Sequence, residues 1–269
     1  MTSPQGYTAT IKTAKDAALE WLAAGGCPVP ARADGSKAPA VDWKAFQGSR
    51  PEESWVRGWN DSTPGFGVVC GAVSGNLDML EFEGRALTEG YLTLFLEQVN
   101  LLGLTSLWHR ITTGYTEQTP SGGLHFCYRL DGPVPGNTKL ARRPETQAEM
   151  DAREPTPLEV KKGAKKPKPV VLIETRGEGG FTVLAPSNGA THPSGRPWAM
   201  LSGGPRSLAT ITAAEREALY DVAKSLDQMP ARTAVLDDNR VVKAAGTAGR
   251  DWYDILVAAG WAHAYNKDF

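Results

Sequence analysis

The run Leu77-Asp78-Met79-Leu80-Glu81-Phe82-Glu83-Gly84 decides how the chain is read. It alternates with the period of a β-strand, so Leu80 and Phe82 turn toward a core while Glu81 and Glu83 share the opposite face. Their Cα atoms then stand about 6–7 Å apart, within reach of one shared ion. Read alone, the pattern fits an acidic metal site and the solvent-facing edge of an ordinary sheet equally.

Working outward, the apolar stretch Leu87–Leu102, closed by Gly103, predicts a helix directly after this strand. A similar alternation precedes it. Ile11, Ala14, Ala18, Trp21 and Leu22 predict a helix over residues 10–24, stopped by Gly25-Gly26, and Cys27–Pro30 predicts a short strand. A polar loop, 31–38, then carries Lys37. Pro51-Glu52-Glu53 opens a further helix, and Phe66–Cys70 is a compact apolar strand. Four short runs, Trp108–Thr112, Leu124–Leu130, Val170–Glu174 and Phe181–Ala185, predict strands with mixed or antiparallel pairing. The fold class that follows is α+β (α/β), with helices against a curved mixed sheet.

Between Asn137 and Pro169 the apolar periodicity collapses, which predicts a mobile basic insertion. From Lys139 to Lys168 there are nine basic residues against five acidic ones, a local excess of 9 − 5 = +4. Thr212–Leu226 predicts a helix. The expected division is a main domain over 1–204 and a helical extension over 205–269, whose last stretch, 251–269, is too small for a core of its own.

Composition excludes several classes. Hydrophobic residues at 41% and charged residues at 22% are ordinary for a globular protein. No apolar run is long enough to span a bilayer, and Met1–Thr13 lacks the basic-then-apolar order of a signal peptide, so the expected location is the cytoplasm. Cys27, Cys70 and Cys127 are far apart with no Cys-x-x-Cys pair, which predicts buried thiols and no structural zinc. A net charge of −1 means that any affinity for polyanions rests on local clustering of Lys and Arg.

Two more clusters carry chemistry. In Thr119-Pro120-Ser121-Gly122-Gly123-Leu124-His125-Phe126 the glycines allow close backbone approach and present N–H groups, and Ser121 and His125 add donors suited to phosphate oxygens. A glycine turn before a strand, with a packed histidine, is the plainer reading. In Val171-Leu172-Ile173-Glu174-Thr175-Arg176-Gly177 an acid and a guanidinium share a strand face, which suits a metal–triphosphate site and equally a surface ion pair.

In order and content the three clusters together resemble the archaeo-eukaryotic primase superfamily, in the primase-polymerase branch of phage and plasmid replication proteins. The Gly26-Cys27-Pro28-Val29-Pro30 segment, Gly65-Phe66-Gly67-Val68 and Phe181–Ser187 extend the resemblance over roughly residues 10–200. It implies a primase-type core with an RRM-like part. It also implies an acidic set, Glu81, Glu83 and Glu174, that is catalytic and holds two Mg²⁺ or Mn²⁺ ions. Ser121, Gly122, Gly123, His125 and Arg176, with Lys37, would bind the nucleotide. The first acid of the pair is usually aspartate in that family; here it is Glu81.

The activity so implied is DNA-templated joining of nucleotides, with a single-stranded template, a primer strand and NTP or dNTP as partners and no membrane. Lys161, Lys162, Lys165, Lys166 and Lys168 are the expected DNA contacts. Asp251–Leu256 with Gly260-Trp261 resembles the segment that joins such a domain to a helicase, so a helicase is expected downstream. Two rivals use the same residues differently: a metal-dependent nuclease, which needs no triphosphate cradle, and a non-catalytic origin-binding module, indifferent to loss of Glu81 or Glu83.

Overall fold

A computed structural model describes residues 13–229 of the chain. In chain order the elements are α1 (Ala14–Ala23), β1 (Pro28–Pro30), α2 (Glu53–Arg57), β2 (Phe66–Val69), β3 (Leu77–Phe82), α3 (Gly84–Thr88), α4 (Tyr91–Leu101), α5 (Thr105–Gly114), β4 (Tyr115–Gln118) and β5 (Leu124–Leu130). There follow β6 (Lys139–Pro144), α6 (Gln147–Ala152), α7 (Pro157–Lys162), β7 (Pro169–Arg176), β8 (Phe181–Leu184), β9 (Ala199–Gly203), β10 (Thr210–Ile211) and α8 (Ala213–Ser225). The protein is α+β. The C-terminal segment 251–269 and the first residues of the expected N-terminal helix lie outside the described residues.

β3 is the centre of the larger sheet, whose order is β6-β7-β3-β5-β4-β9, with β10 added parallel to β5. Its alternation sorts two cores. Leu80 and Phe82 join Phe126, Tyr128 and Leu172 beneath the helices, where Phe95 of α4, Trp108 and Ile111 of α5 and Leu219 of α8 cover them. Phe82, Phe95, Trp108 and Phe126 pack with ring centroids 4.6–6.0 Å apart in tilted or edge-to-face geometry. Leu77 and Met79 face the other way, toward Trp21 of α1 and Phe66 and Val68 of β2. A smaller antiparallel sheet, β1-β2-β8, therefore lies over the second face. Cys27, Cys70 and Cys127 are fully buried free thiols, as expected, and burial pushes that of Cys27 up to about 12.

Four expectations need correction. Trp108–Thr112 is not a strand but part of α5, because Leu107, Trp108 and Ile111 fall on one buried helical face. The helix expected over Leu87–Leu102 is two helices, broken where Gly90 adopts a left-handed conformation with φ +83°. The stretch expected as an irregular insertion holds β6, paired along β7, and two short helices with Thr146 and Thr156 in capping boxes. The boundary expected at 204 falls inside a packed unit. β10 continues the sheet, and α8 contributes Leu219, Tyr220, Val222 and Ala223 to the core under the helices.

Candidate active site

Strand register brings the site together. Glu81 of β3 stands opposite Glu174 of β7 on one side and opposite His125 of β5 on the other, and His125 stands opposite Glu117 of β4. Directly paired residues on one face are contact neighbours. The result is a row, Glu174, Glu81, His125, Glu117, running across four strands. Glu83, just past the end of β3, completes the acidic group. One carboxylate oxygen from each of Glu81, Glu83 and Glu174 lies within 4.8 Å of the others.

Charges that close repel by on the order of 3 kcal/mol per pair at an effective dielectric near 20. Burial and the negative charge of Glu81 hold the Glu83 carboxyl above the usual range. Glu81 goes the other way. Burial alone would raise it, but the His125 ring, with Arg176 and Lys37, holds it low. Arg176 lies 2.5 Å from Glu174, and although burial disfavours its charge, Glu174 and Glu81 raise it further. Three carboxylates with no sulfur or imidazole among them form a hard oxygen donor set, which fits Mg²⁺ or Mn²⁺.

His125 is held from both sides, with Nδ1 2.7 Å from Glu117 and Nε2 3.4 Å from Glu81. Burial disfavours the imidazolium, yet the Glu81 charge and the bonds to Glu117 and Glu81 outweigh it and push the ring up to about 10. Glu81 and His125 open onto a cleft of about 250 Å³ between the two sheets, with Ser36, Lys37, Ser121, Arg176 and His192 among its polar lining and Phe181 and Trp198 among its apolar walls.

Within the Ser121–Gly123 turn, Gly122 donates to the Thr119 carbonyl at 2.9 Å and Gly123 to Thr119 Oγ1 at 3.0 Å. The glycine requirement is steric. A Cβ on Gly123 would fall 2.4 Å from the Phe82 carbonyl, and one on Gly84 would fall 2.2 Å from that of Ser121. Two missing side chains thus let the turn close against the acid-bearing end of β3, and Ser121 remains as the turn's polar contribution to the cleft.

Lys165, expected to meet DNA, instead donates from Nζ to the Met150 and Arg153 carbonyls at 2.6 Å each. Lys161, Lys162, Lys166 and Lys168 are exposed. Three of the region's five acids are held by arginine: Arg153 pairs with Glu145 and Glu159, and Arg143 pairs with Glu149 and, outside the region, with Glu89.

Glu117 and His192 were missed. Glu117 was legible in principle, because a hairpin closed through Thr119–Gly123 places residue 117 against 125; the β4 strand itself went unread. His192 sits in an irregular segment that no periodicity marks. Its Nδ1 accepts the Ser194 backbone N–H at 3.1 Å, which leaves the proton on Nε2, 3.3 Å from Ser121 Oγ. Burial, together with the charges of Lys37 and Arg196, lowers its pKa. Two histidines thus face one cleft.

A carboxylate triad flanked by guanidinium, imidazole and ammonium groups combines ligands for a divalent ion with donors for anionic oxygens. The family model described as bifunctional DNA primase/polymerase, N-terminal, matches residues 18–214, and the chain belongs to that Prim-Pol family. The match contains the whole row from Glu81 to Glu174 and ends within α8. Compared with curated proteins, the chain matches none. Among the described residues no helix is long and apolar enough to cross a membrane.

Proposed function

We propose that the chain extends or initiates DNA strands by templated nucleotidyl transfer, with Glu81, Glu83 and Glu174 as the metal-binding acids. The observation that carries this reading is the convergence of the three carboxylates beside a cleft lined by Lys37, Ser121, His125 and Arg176. Negative charge on one side and donors on the other suit a metal-bound triphosphate. When bound, two Mg²⁺ or Mn²⁺ ions supply activation of the 3′-hydroxyl and neutralisation of the leaving pyrophosphate.

The chain's own groups do the rest. Arg176 and Lys37 meet phosphate oxygens, His125 directs Nε2–H at them, and Ser121 offers its hydroxyl. Gly122 and Gly123 set the turn rather than bind. Lys161, Lys162, Lys166 and Lys168 contact the phosphodiester backbone of the template or primer, as exposed cations do.

The test is primer extension with Mg²⁺ or Mn²⁺ by the double variant Glu81→Gln, Glu83→Gln. Gln keeps shape and hydrogen bonding but loses the charge that holds a divalent ion. Incorporation is expected to fall to background while template binding and the folded state persist. Near-normal extension by the folded variant sinks the reading and leaves a non-catalytic DNA-binding module. Strand cleavage with no nucleotide-triphosphate binding would indicate a nuclease.

A further inference from the structure

Glu117 is a carboxylate with no exposed surface, and all its polar contacts are internal. Oε1 meets His125 Nδ1 at 2.7 Å, while Oε2 accepts the Tyr115 hydroxyl at 2.7 Å and the Ala185 backbone N–H at 2.8 Å. Burying a charge costs several kcal/mol unless it is fully paired. Three donors meet that need here, and they come from three places: β4 itself, β5, and the segment just past β8 in the smaller sheet. An apolar residue would fill this position at less cost, so the charge calls for a reason beyond packing.

The reason lies in where it leaves His125. A ring held at Nδ1 by an immobile carboxylate has its plane and its other nitrogen fixed. That other nitrogen, Nε2, faces Glu81 and the cleft. Resting on the reading of the cleft as a triphosphate site, we propose that Glu117 is a positioning residue for the transfer reaction. It locks His125 so that Nε2–H is presented to the nucleotide phosphates beside Glu81. It touches no substrate itself. Through Ala185 it also ties this orientation to the smaller sheet, whose Phe181, Thr182 and Val183 line the facing wall of the cleft.

Glu117→Gln tests the idea in the full chain. An amide has one acceptor and one donor end, so it cannot accept from His125 on one side and from Ala185 N–H on the other. Loss of a hydrogen bond to a charged group corresponds to about tenfold or more. The KM for nucleotide triphosphate in primer extension is therefore expected to rise by about that factor, with template affinity unchanged. The decisive comparison is a double-mutant cycle with His125→Ala. If Glu117 acts through His125, adding Glu117→Gln to His125→Ala changes KM no further. Fully additive losses would mean a separate, merely architectural role and would overturn the proposal.

A second measurement needs no variant. Nitrogen NMR of the His125 ring in the wild-type chain is expected to show a slowly exchanging Nδ1–H held by Glu117. A ring lacking the Nδ1 proton would overturn the proposal even if Glu117→Gln failed to fold. Absence of any nucleotide-triphosphate binding by the wild-type chain would instead defeat the reading of the cleft, and the ring signals would still decide whether Glu117 fixes His125.

Discussion

Asp78 belongs to the same strand as Glu81 but serves the opposite face. It is fully buried, and its Oδ2 receives Arg216 Nε at 2.7 Å, the Tyr220 hydroxyl at 2.8 Å and the Tyr128 hydroxyl at 3.2 Å. Burial raises its pKa, and the guanidinium of Arg216 opposes that rise. One strand thus holds two carboxylates in different conditions: Glu81 beside a cleft, Asp78 locked in a closed network. Arg216→Met would leave Asp78 with its hydroxyl partners but no counter-charge. Breaking a buried pair from one side costs about 3–5 kcal/mol, and the retained tyrosines put the expected loss near the lower end. Urea denaturation of the variant measures it. The penalty should ease as the solution is acidified, because a protonated Asp78 leaves no charge unpaired. An unchanged midpoint would mean that the network contributes nothing net.

Among the elements, α6 and α7 follow different rules from the rest. α7 lays no apolar face on a core, since Leu158 and Val160 are exposed. The segment is held by Arg143 and Arg153, each gripping two glutamates, and by the two capping boxes. This is why apolar periodicity could not find it: arginine–carboxylate bonds have no period in sequence. The same physics gives it a pH dependence of its own. The bond from Arg143 and the Thr146 N–H hold Glu149 down at about 2, from an ordinary 4.5, and Arg153 holds Glu159 lower still. Groups with depressed folded-state pKa values contribute fully above the unfolded value and lose that contribution as pH falls through the folded one. The segment is therefore expected to hold above pH 4.5 and to loosen between about 4.5 and 2. Amide resonances of residues 146–162 should broaden or shift across that window while those of β1 and β2 stay put. Simultaneous loss of both sets would refute a locally held element.

For the whole molecule, what was legible in sequence and what was not divide along physical lines. The acids, His125 and Arg176 were readable because strand alternation fixes a face, and a face is enough to group side chains. Pairing was not readable: nothing in Leu77–Gly84 says that Glu174 lies opposite Glu81, or that Glu117 closes the row. The misread α5 and the split of α3 from α4 reflect a helical face and a single left-handed glycine, both of which short apolar runs conceal. The boundary set at 204 failed because α8 is amphipathic and polar on average, so it reads as an appendage until the core that needs it is seen.

That core gives the extent of the folding unit a direct test. Residues 205–229 supply β10, which extends β5, and α8, whose Leu219, Tyr220, Val222 and Ala223 are all buried against the main sheet and its helices. They also supply Arg216 and Tyr220, two of the three side chains that satisfy Asp78 in the central strand. A chain ending at 204 would expose the apolar surface that these side chains cover and leave Asp78 buried without its cation. Fully burying one large apolar side chain is worth about 1.5–3 kcal/mol, so losing Leu219, Tyr220 and Val222 together removes an amount comparable with the whole stability of an ordinary domain. A chain ending at 229 keeps every one of these contacts. The expectation is that 1–229 melts in one cooperative transition near that of the full chain and keeps nucleotide incorporation, whereas 1–204 is insoluble or lacks a cooperative transition. Circular-dichroism melts of the two truncations, run beside primer extension, decide the matter. Cooperative melting by 1–204 would restore the boundary at 204 and make α8 an accessory to the site.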